Sequence, residues 1–84
     1  MYHKSIVKGK KIHNKLGIIL KERSMSQREF SRVTGIRQAT INEIVNNKKN
    51  SIQFDHLTLI MCTLELENFN CIFEIIEVEE SVEI

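Results

Sequence analysis

The stretch that decides the fold is SQREFSRVTGIRQATI, residues 26–41. It opens with a capping box, in which the Ser26 hydroxyl accepts a hydrogen bond from the amide of Glu29 and the Glu29 carboxylate reaches back to the amide of Ser26. This pattern predicts that a helix begins here. We expect Phe30 and Val33 on that helix to face the core.

A very short turn follows this helix. Gly35 is expected to end it, because glycine readily adopts the positive φ needed just beyond a helix C-terminus. Only Ile36 then precedes the polar start of the next helix, predicted over residues 37–45. Asn46 and Asn47 are expected to end that helix, since asparagine tolerates the left-handed conformation. Two short helices joined so tightly cross at a steep angle, as in a helix-turn-helix.

Other elements are predicted from the spacing of apolar residues. Amphipathic stripes typical of helices begin at Ile12 and at Phe54, and Asn68 is placed to cap a short fifth helix. The β-branched, acidic end of the chain is either a short dimerising strand or an extension of helix five with a frayed tail. The sequence thus predicts an all-α domain of five helices over residues 12–73, preceded by a basic arm (1–11) and followed by an acidic segment (74–84).

Length and composition restrict the classes of protein. A chain of 84 residues with 42% hydrophobic residues builds one small core. No apolar run is long enough to cross a bilayer, and the N-terminus lacks the pattern of a signal peptide. Cys62 and Cys71 are predicted to be reduced core thiols, because their spacing fits no zinc site. We therefore expect a cytoplasmic protein without metal, cofactor, membrane contact or catalytic residues.

Charge is divided sharply along the chain. All 12 Lys and Arg residues lie within residues 1–50. This part of the chain has three acids, so its net charge is +9. Residues 51–84 contain eight acids and no Lys or Arg, a balance of −8. Such asymmetry is typical of a chain with a polyanion-facing surface, although charges in a small protein can also segregate by accident.

The motif resembles a known family. MSQREF at 25–30, TGIRQATI at 34–41 and NNK at 46–48 resemble the Xre/Cro phage-repressor class of helix-turn-helix proteins. GIRQATI at 35–41, followed by LEL at 64–66, is also similar to HipB-type antitoxins. The resemblance covers about residues 12–73. It implies a five-helix, lambda-repressor-like domain that binds palindromic double-stranded DNA as a homodimer.

The polar face of the helix at 37–45 is the candidate for base reading, because the recognition helix of this motif enters the major groove. Gln38 has an amide that can pair with adenine, and Arg37 can pair with guanine or take a phosphate. Glu43 can accept from cytosine or hold Arg37 in place. The alternative is a plain solvated helix face. The full set of expected base-reading residues is Arg37, Gln38, Ala39, Thr40, Asn42 and Glu43.

Contacts with the DNA backbone would position the domain without reading sequence. The expected residues lie at the start of the second helix and after the third: Ser26, Gln27, Arg28, Asn46, Lys48 and Lys49. Lys8, Lys10 and Lys11 are expected to form an arm along the backbone or in the minor groove, the alternative being a solvated leader.

The apolar residues of the acidic end are the candidate dimer interface. A lone strand is unstable, and the simplest partner that can stabilise it is the same strand of a second copy of the chain. HipB-type antitoxins are similar in placing a C-terminal strand at the dimer interface. The expected interface residues are Ile72, Ile75, Ile76 and Val78.

Two functions remain open at this point. The first is a sequence-specific, repressor-like regulator of transcription. The second is a HipB-like antitoxin that regulates its own operon and also binds a partner toxin. An enzyme is not expected, since the chain offers no nucleophile–base pair, metal set or phosphate loop.

Overall fold

The computed structural model describes the backbone of residues 4–49 and 51–83 and the side chains of residues 9–49 and 51–78. Residues 1–3 of the expected arm lie outside the described residues. The elements in chain order are β1 (Lys4–Asn14), α1 (Leu16–Glu22), α2 (Gln27–Thr34), α3 (Gln38–Val45), α4 (Phe54–Thr63), a 3₁₀ turn (Phe69–Cys71) and β2 (Phe73–Glu83).

A single apolar core lies among the four helices. Phe30 of α2 is at its centre and is fully buried, as the sequence predicted. Each of the other helices contributes residues one helical turn apart, which is how a helix presents one face to a core. The other buried apolar residues are Leu16, Leu20, Ile36, Ile41, Ile44, Ile60, Leu64 and Ile72.

The predicted boundaries of α2 are confirmed. The amide of Glu29 donates to Ser26 Oγ at 3.0 Å, so Ser26 caps the helix. Gly35 follows the helix with a φ of 78° in the left-handed region. Beyond α3, Asn47 also takes a positive φ, of 56°.

Replacing Gly35 with valine should destabilise the domain by about 1–3 kcal/mol, because a β-branched residue is strained at positive φ. No heavy atom lies within 4 Å of a Cβ at this position, so the effect would come from the backbone alone. Thermal melting measures it. Gly35→Asn is the matched control and should melt close to the parent, since asparagine tolerates this conformation. A Gly35→Val variant that melts like the parent would contradict the assigned turn.

The expected five-helix, all-α architecture is wrong in two places. The first helix begins at Leu16, and Ile12 lies instead in β1 with 68% of its surface exposed. The expected fifth helix is only the 3₁₀ turn after Asn68. The described chain is therefore a four-helix domain with a two-stranded antiparallel sheet.

β1 and β2 form a ribbon, and this corrects the expected arm. Residues 4–11 are strand residues whose backbone pairs with β2. The register places Asn14 opposite Phe73 and Ile12 opposite Ile75. The expected C-terminal strand is seen, but its partner is β1 of the same chain rather than a second copy.

Three residues assigned to the core lie at the surface. Val33 is 51% exposed, because Phe30 and Thr34, four residues apart, take the buried face of α2. Cys62 is exposed because Ile60 and Leu64 take the buried face at the end of α4. Cys71 is exposed as well, and both thiols are free. None of the helices described here has the length and hydropathy of a membrane span.

Candidate nucleic-acid interface

The turn between α2 and α3 is held by side-chain hydrogen bonds. Thr34 Oγ1 donates to the carbonyl oxygen of Phe30 at 2.8 Å and accepts from the amide of Ile36 at 3.2 Å. Ser31 Oγ donates to the carbonyl oxygen of Ile36. Ile36 is buried in the core. The hydrogen bonds of the turn and the burial of Ile36 thus hold the end of α2 and the start of α3 together.

One face of α3 is buried and the other is open to solvent. Ile41 and Ile44 are buried in the core, so the rest of the helix is directed outward. The exposed face contains two amides, one guanidinium, one small residue and one acid. These exposed residues are Arg37, Gln38, Ala39, Asn42 and Glu43.

The start of α2 is joined to this exposed face. Asn42 Nδ2 donates to Gln27 Oε1 at 3.2 Å. The bond brings a residue expected to contact the DNA backbone against one expected to read bases. The expected base-reading residues and the expected backbone-contacting residues are thus neighbours on one surface.

Thr40 is more buried than the other residues of the expected base-reading group. It is half-buried and lines a cavity of about 430 Å³ between the start of α3 and the start of α4. Arg37, Lys49 and His56 line the same cavity. Thr40 lies on a different side of α3 from Gln38 because two residues correspond to about 200° around the helix. Its contact with bases stays a prediction.

A second depression, of about 390 Å³, lies beside the exposed face of α3. It is lined by Gln38 of α3 and by Ser26, Arg28 and Arg32 of α2. Ser26 Oγ already accepts the amide of Glu29, so its capping role competes with any contact to DNA. Glu43 makes no ion pair with Arg37 within the part of the chain whose side chains are described, so the structure contains no such clamp.

Two basic residues of this surface were missed by sequence analysis. Arg32 lies one turn after Arg28 on the same face of α2, and that four-residue spacing was the available signal. His56 lies on the first turn of α4, far along the chain from the motif. The helix α4 packs against α2, and in this arrangement His56 lines the same cavity as Arg37 and Lys49.

The remaining candidates follow α3 or lie in the ribbon. Asn46, Lys48 and Lys49 are exposed after the end of α3, and Asn46 Nδ2 donates to the carbonyl oxygen of Asn42 at 2.9 Å. Lys10 and Lys11 are exposed strand residues of β1, so they are not on a free arm. Lys8 is in β1 too, and its side chain lies outside the described residues.

The expected dimer-interface residues, in β2 and just before it, have unequal surroundings. Ile72 is buried in the core and Ile75 is 69% exposed, while Ile76 and Val78 are half-buried. Ile75 lies opposite Ile12, which is equally exposed, so the two form an apolar pair on one face of the ribbon.

A capped helix, a glycine turn and a second helix with a solvent-facing polar side define a helix-turn-helix protein of the DNA-binding class. The family model of the Cro/C1-type HTH DNA-binding domain matches residues 15–67. The chain belongs to this family, which confirms its resemblance to the Xre/Cro class. The match does not extend to the HipB-type antitoxins. Comparison with curated proteins and with solved structures gave no match.

Proposed function

We propose that the protein is a sequence-specific regulator of transcription that acts in the cytoplasm by inserting α3 into the major groove. The observation that carries the proposal is the exposed polar face of α3, with Gln27 of α2 hydrogen-bonded to Asn42 at its edge. In this motif the recognition helix contacts base edges while the preceding helix crosses the backbone. One fixed surface thus combines both kinds of contact.

Each base-reading residue has a partner suited to its chemistry. Gln38 pairs bidentately with adenine, and Arg37 with guanine O6 and N7. Ala39 is small enough to contact a thymine methyl group, and Glu43 accepts from cytosine N4. Asn42, already bonded to Gln27, offers its amide one turn further along the same face.

Phosphate contacts are assigned to the residues that flank α3. Gln27 and Arg28 contact one strand from the start of α2, and Arg32 is added because it lines the same depression as Arg28. Lys48 and Lys49 contact the backbone from the loop after α3. Such contacts provide affinity that falls with added salt and does not depend on sequence.

Gln38→Ala tests the proposal. The variant should lose about 1–3 kcal/mol of binding to a specific site and should relax the preference at one base pair, while binding to random DNA hardly changes. Fluorescence anisotropy with DNA flanking the gene, and with shuffled DNA, measures both affinities.

Lys48→Ala is the control for Gln38→Ala. It removes a proposed phosphate contact that is exposed after α3 and lies outside the Asn42–Gln27 hydrogen bond, so it should weaken specific and non-specific binding by the same factor. Equal losses for Gln38→Ala would make Gln38 a backbone contact and would contradict the proposed base-reading face.

We also propose that the protein acts as a homodimer on a palindromic operator. A two-stranded ribbon is marginally stable alone, and here it exposes the Ile12–Ile75 pair on one face. Phe69, which is 58% exposed, and Phe73 lie with Ile12 around an adjacent apolar cavity of about 420 Å³. Exposed isoleucines beside an apolar cavity suit a two-fold interface, because the isoleucines of each copy can fill the cavity of the other. The interface proposed here is centred on Ile12 and Ile75.

The HipB-like antitoxin is the second candidate. The observation that favours it is the acidic character of β2, where Glu74 and Glu77 are exposed. An acidic strand can dock a basic partner protein. Co-purification of a toxin encoded by an adjacent gene would support this candidate, provided that replacing both glutamates by glutamine abolishes the complex.

A further inference from the structure

The base of the ribbon is joined to the end of α3 by one pair of asparagines. Asn14, the last residue of β1, is only 8% exposed. Its Nδ2 donates to the carbonyl oxygen of Ile44 at 2.7 Å and to Asn47 Oδ1 at 2.8 Å. Its Oδ1 accepts from the amide of Leu16 at 3.1 Å, at the start of α1. One buried side chain therefore connects β1, to which it belongs, with the start of α1 and the last turn of α3.

Asn47 completes the connection from the other side. Its Oδ1 accepts from the backbone amide of Asn14 at 3.0 Å, and its Nδ2 donates to the backbone carbonyl of Asn14 at 3.4 Å. The side chain thus pairs with the free edge of β1 as a neighbouring strand would. The positive φ of Asn47 aims the side chain at that edge. We call Asn14 and Asn47 the asparagine clamp.

The clamp supplies directional bonds that apolar packing does not. Hydrogen bonds between buried groups require fixed distances and angles, whereas apolar contact is non-directional. Among the described side chains, every hydrogen bond between β1 and the end of α3 involves the clamp. It therefore determines the angle between the ribbon and α3 more closely than the surrounding core can.

We infer that the asparagine clamp is a positioning device, which holds α3 at one orientation to the ribbon and so sets the distance between the two recognition helices of a dimer. The inference rests on the proposed homodimer. Helix-turn-helix dimers bind half-sites about one DNA turn apart, so a small rotation at the ribbon base misplaces the second helix. Asn14 and Asn47 would then act without touching a base.

The experiment compares the intact chain with its Asn47→Gly variant. Glycine keeps the positive φ without strain and removes only the side chain, so the backbone turn should survive. The binding site is first obtained by selecting DNA from a random-sequence pool with the parent protein. Affinity is then measured for one half-site, for the two-half-site DNA, and for DNAs with one to five base pairs inserted between half-sites.

Asn47→Gly should bind one half-site as the parent does and should form dimers to the same extent in sedimentation. Bivalent binding raises affinity for the two-half-site DNA by roughly 10²–10⁴-fold over that for one half-site. We expect the variant to lose about tenfold of this affinity. Its dependence on the inserted spacing should become flatter. Asn47→Asp keeps the oxygen that accepts from Asn14, so it should retain the spacing preference of the parent. Asn70→Gly, at an exposed asparagine, is the matched control and should change nothing.

A parent-like spacing preference in Asn47→Gly, with dimers and half-site binding intact, would overturn the clamp and leave the proposed function standing. Failure of the parent to select any two-half-site DNA would instead contradict the proposed function. Should Asn47→Gly not fold, Asn47→Ser is used in the same comparison, because its hydroxyl is too short to span both backbone groups of Asn14. Unfolding of both variants would make the pair part of the core and would also overturn the positioning role.

Discussion

Phe30→Ala is expected to remove a large share of the free energy of unfolding of the domain. Truncating a buried phenylalanine costs about 3–5 kcal/mol, since it removes apolar burial and leaves a cavity. Typical stabilities per residue give a chain of 84 residues roughly 4–13 kcal/mol in total. Phe30 is completely buried, and the helices around it are short, so they depend on tertiary packing. Urea unfolding followed by circular dichroism measures the change.

Val33→Ala is the control for that measurement, because it truncates an apolar residue of the same helix at the surface. Its free energy of unfolding should stay within about 0.5 kcal/mol of the parent's, as is usual for exposed positions. A Phe30→Ala variant with the parent's midpoint would mean that the core is not where the structure has it.

The double substitution Ile12→Thr with Ile75→Thr is expected to convert the protein to monomers and to lower its affinity for a two-half-site operator by roughly 10²–10⁴-fold. Threonine favours strands, so the ribbon should persist while its apolar pair is lost. Sedimentation measures the dimer fraction and gel shift the affinity. Deleting residues 74–84 is a less clean test, because it would also deprive β1 of its partner.

Ile18→Thr controls for the loss of an exposed isoleucine outside the ribbon. Ile18 is 55% exposed on α1, and its replacement should leave both the dimer fraction and operator binding unchanged. If the ribbon variant remained fully dimeric, the interface would lie on another surface of the domain. If it unfolded, the ribbon face would belong to the monomer core.

Local signals in the sequence were sufficient for the centre of the domain. Ser26 with Glu29 defines where α2 begins, and Gly35 where it ends, because capping and positive φ depend only on residues close along the chain. The exposed face of α3 followed from its helical period. Side chains that pack between distant segments were harder to assign, which is why His56 was missed.

The ribbon could not be predicted in the same way. Half of residues 4–11 are lysines, and the segment lacks the alternating apolar pattern of a half-buried strand, so nothing local identifies it as β1. Their strand conformation comes from pairing with β2 at the opposite end of the domain. The position of Ile12 illustrates the consequence, because its spacing to Leu16 fitted a helix that in fact begins only at Leu16.

The pairing of β1 with β2 across the whole helical domain also determines the order of folding. Asn14 and Phe73 are neighbours in the ribbon although residues 15–72 separate them in the chain. Contacts between such distant segments form slowly, because the loop between them must first be closed. During synthesis β1 emerges before any helix and then waits for β2, which emerges after all four. A nascent chain therefore completes its four helices before it can build the ribbon, and the proposed dimer surface at Ile12 and Ile75 is the last part of the molecule to form.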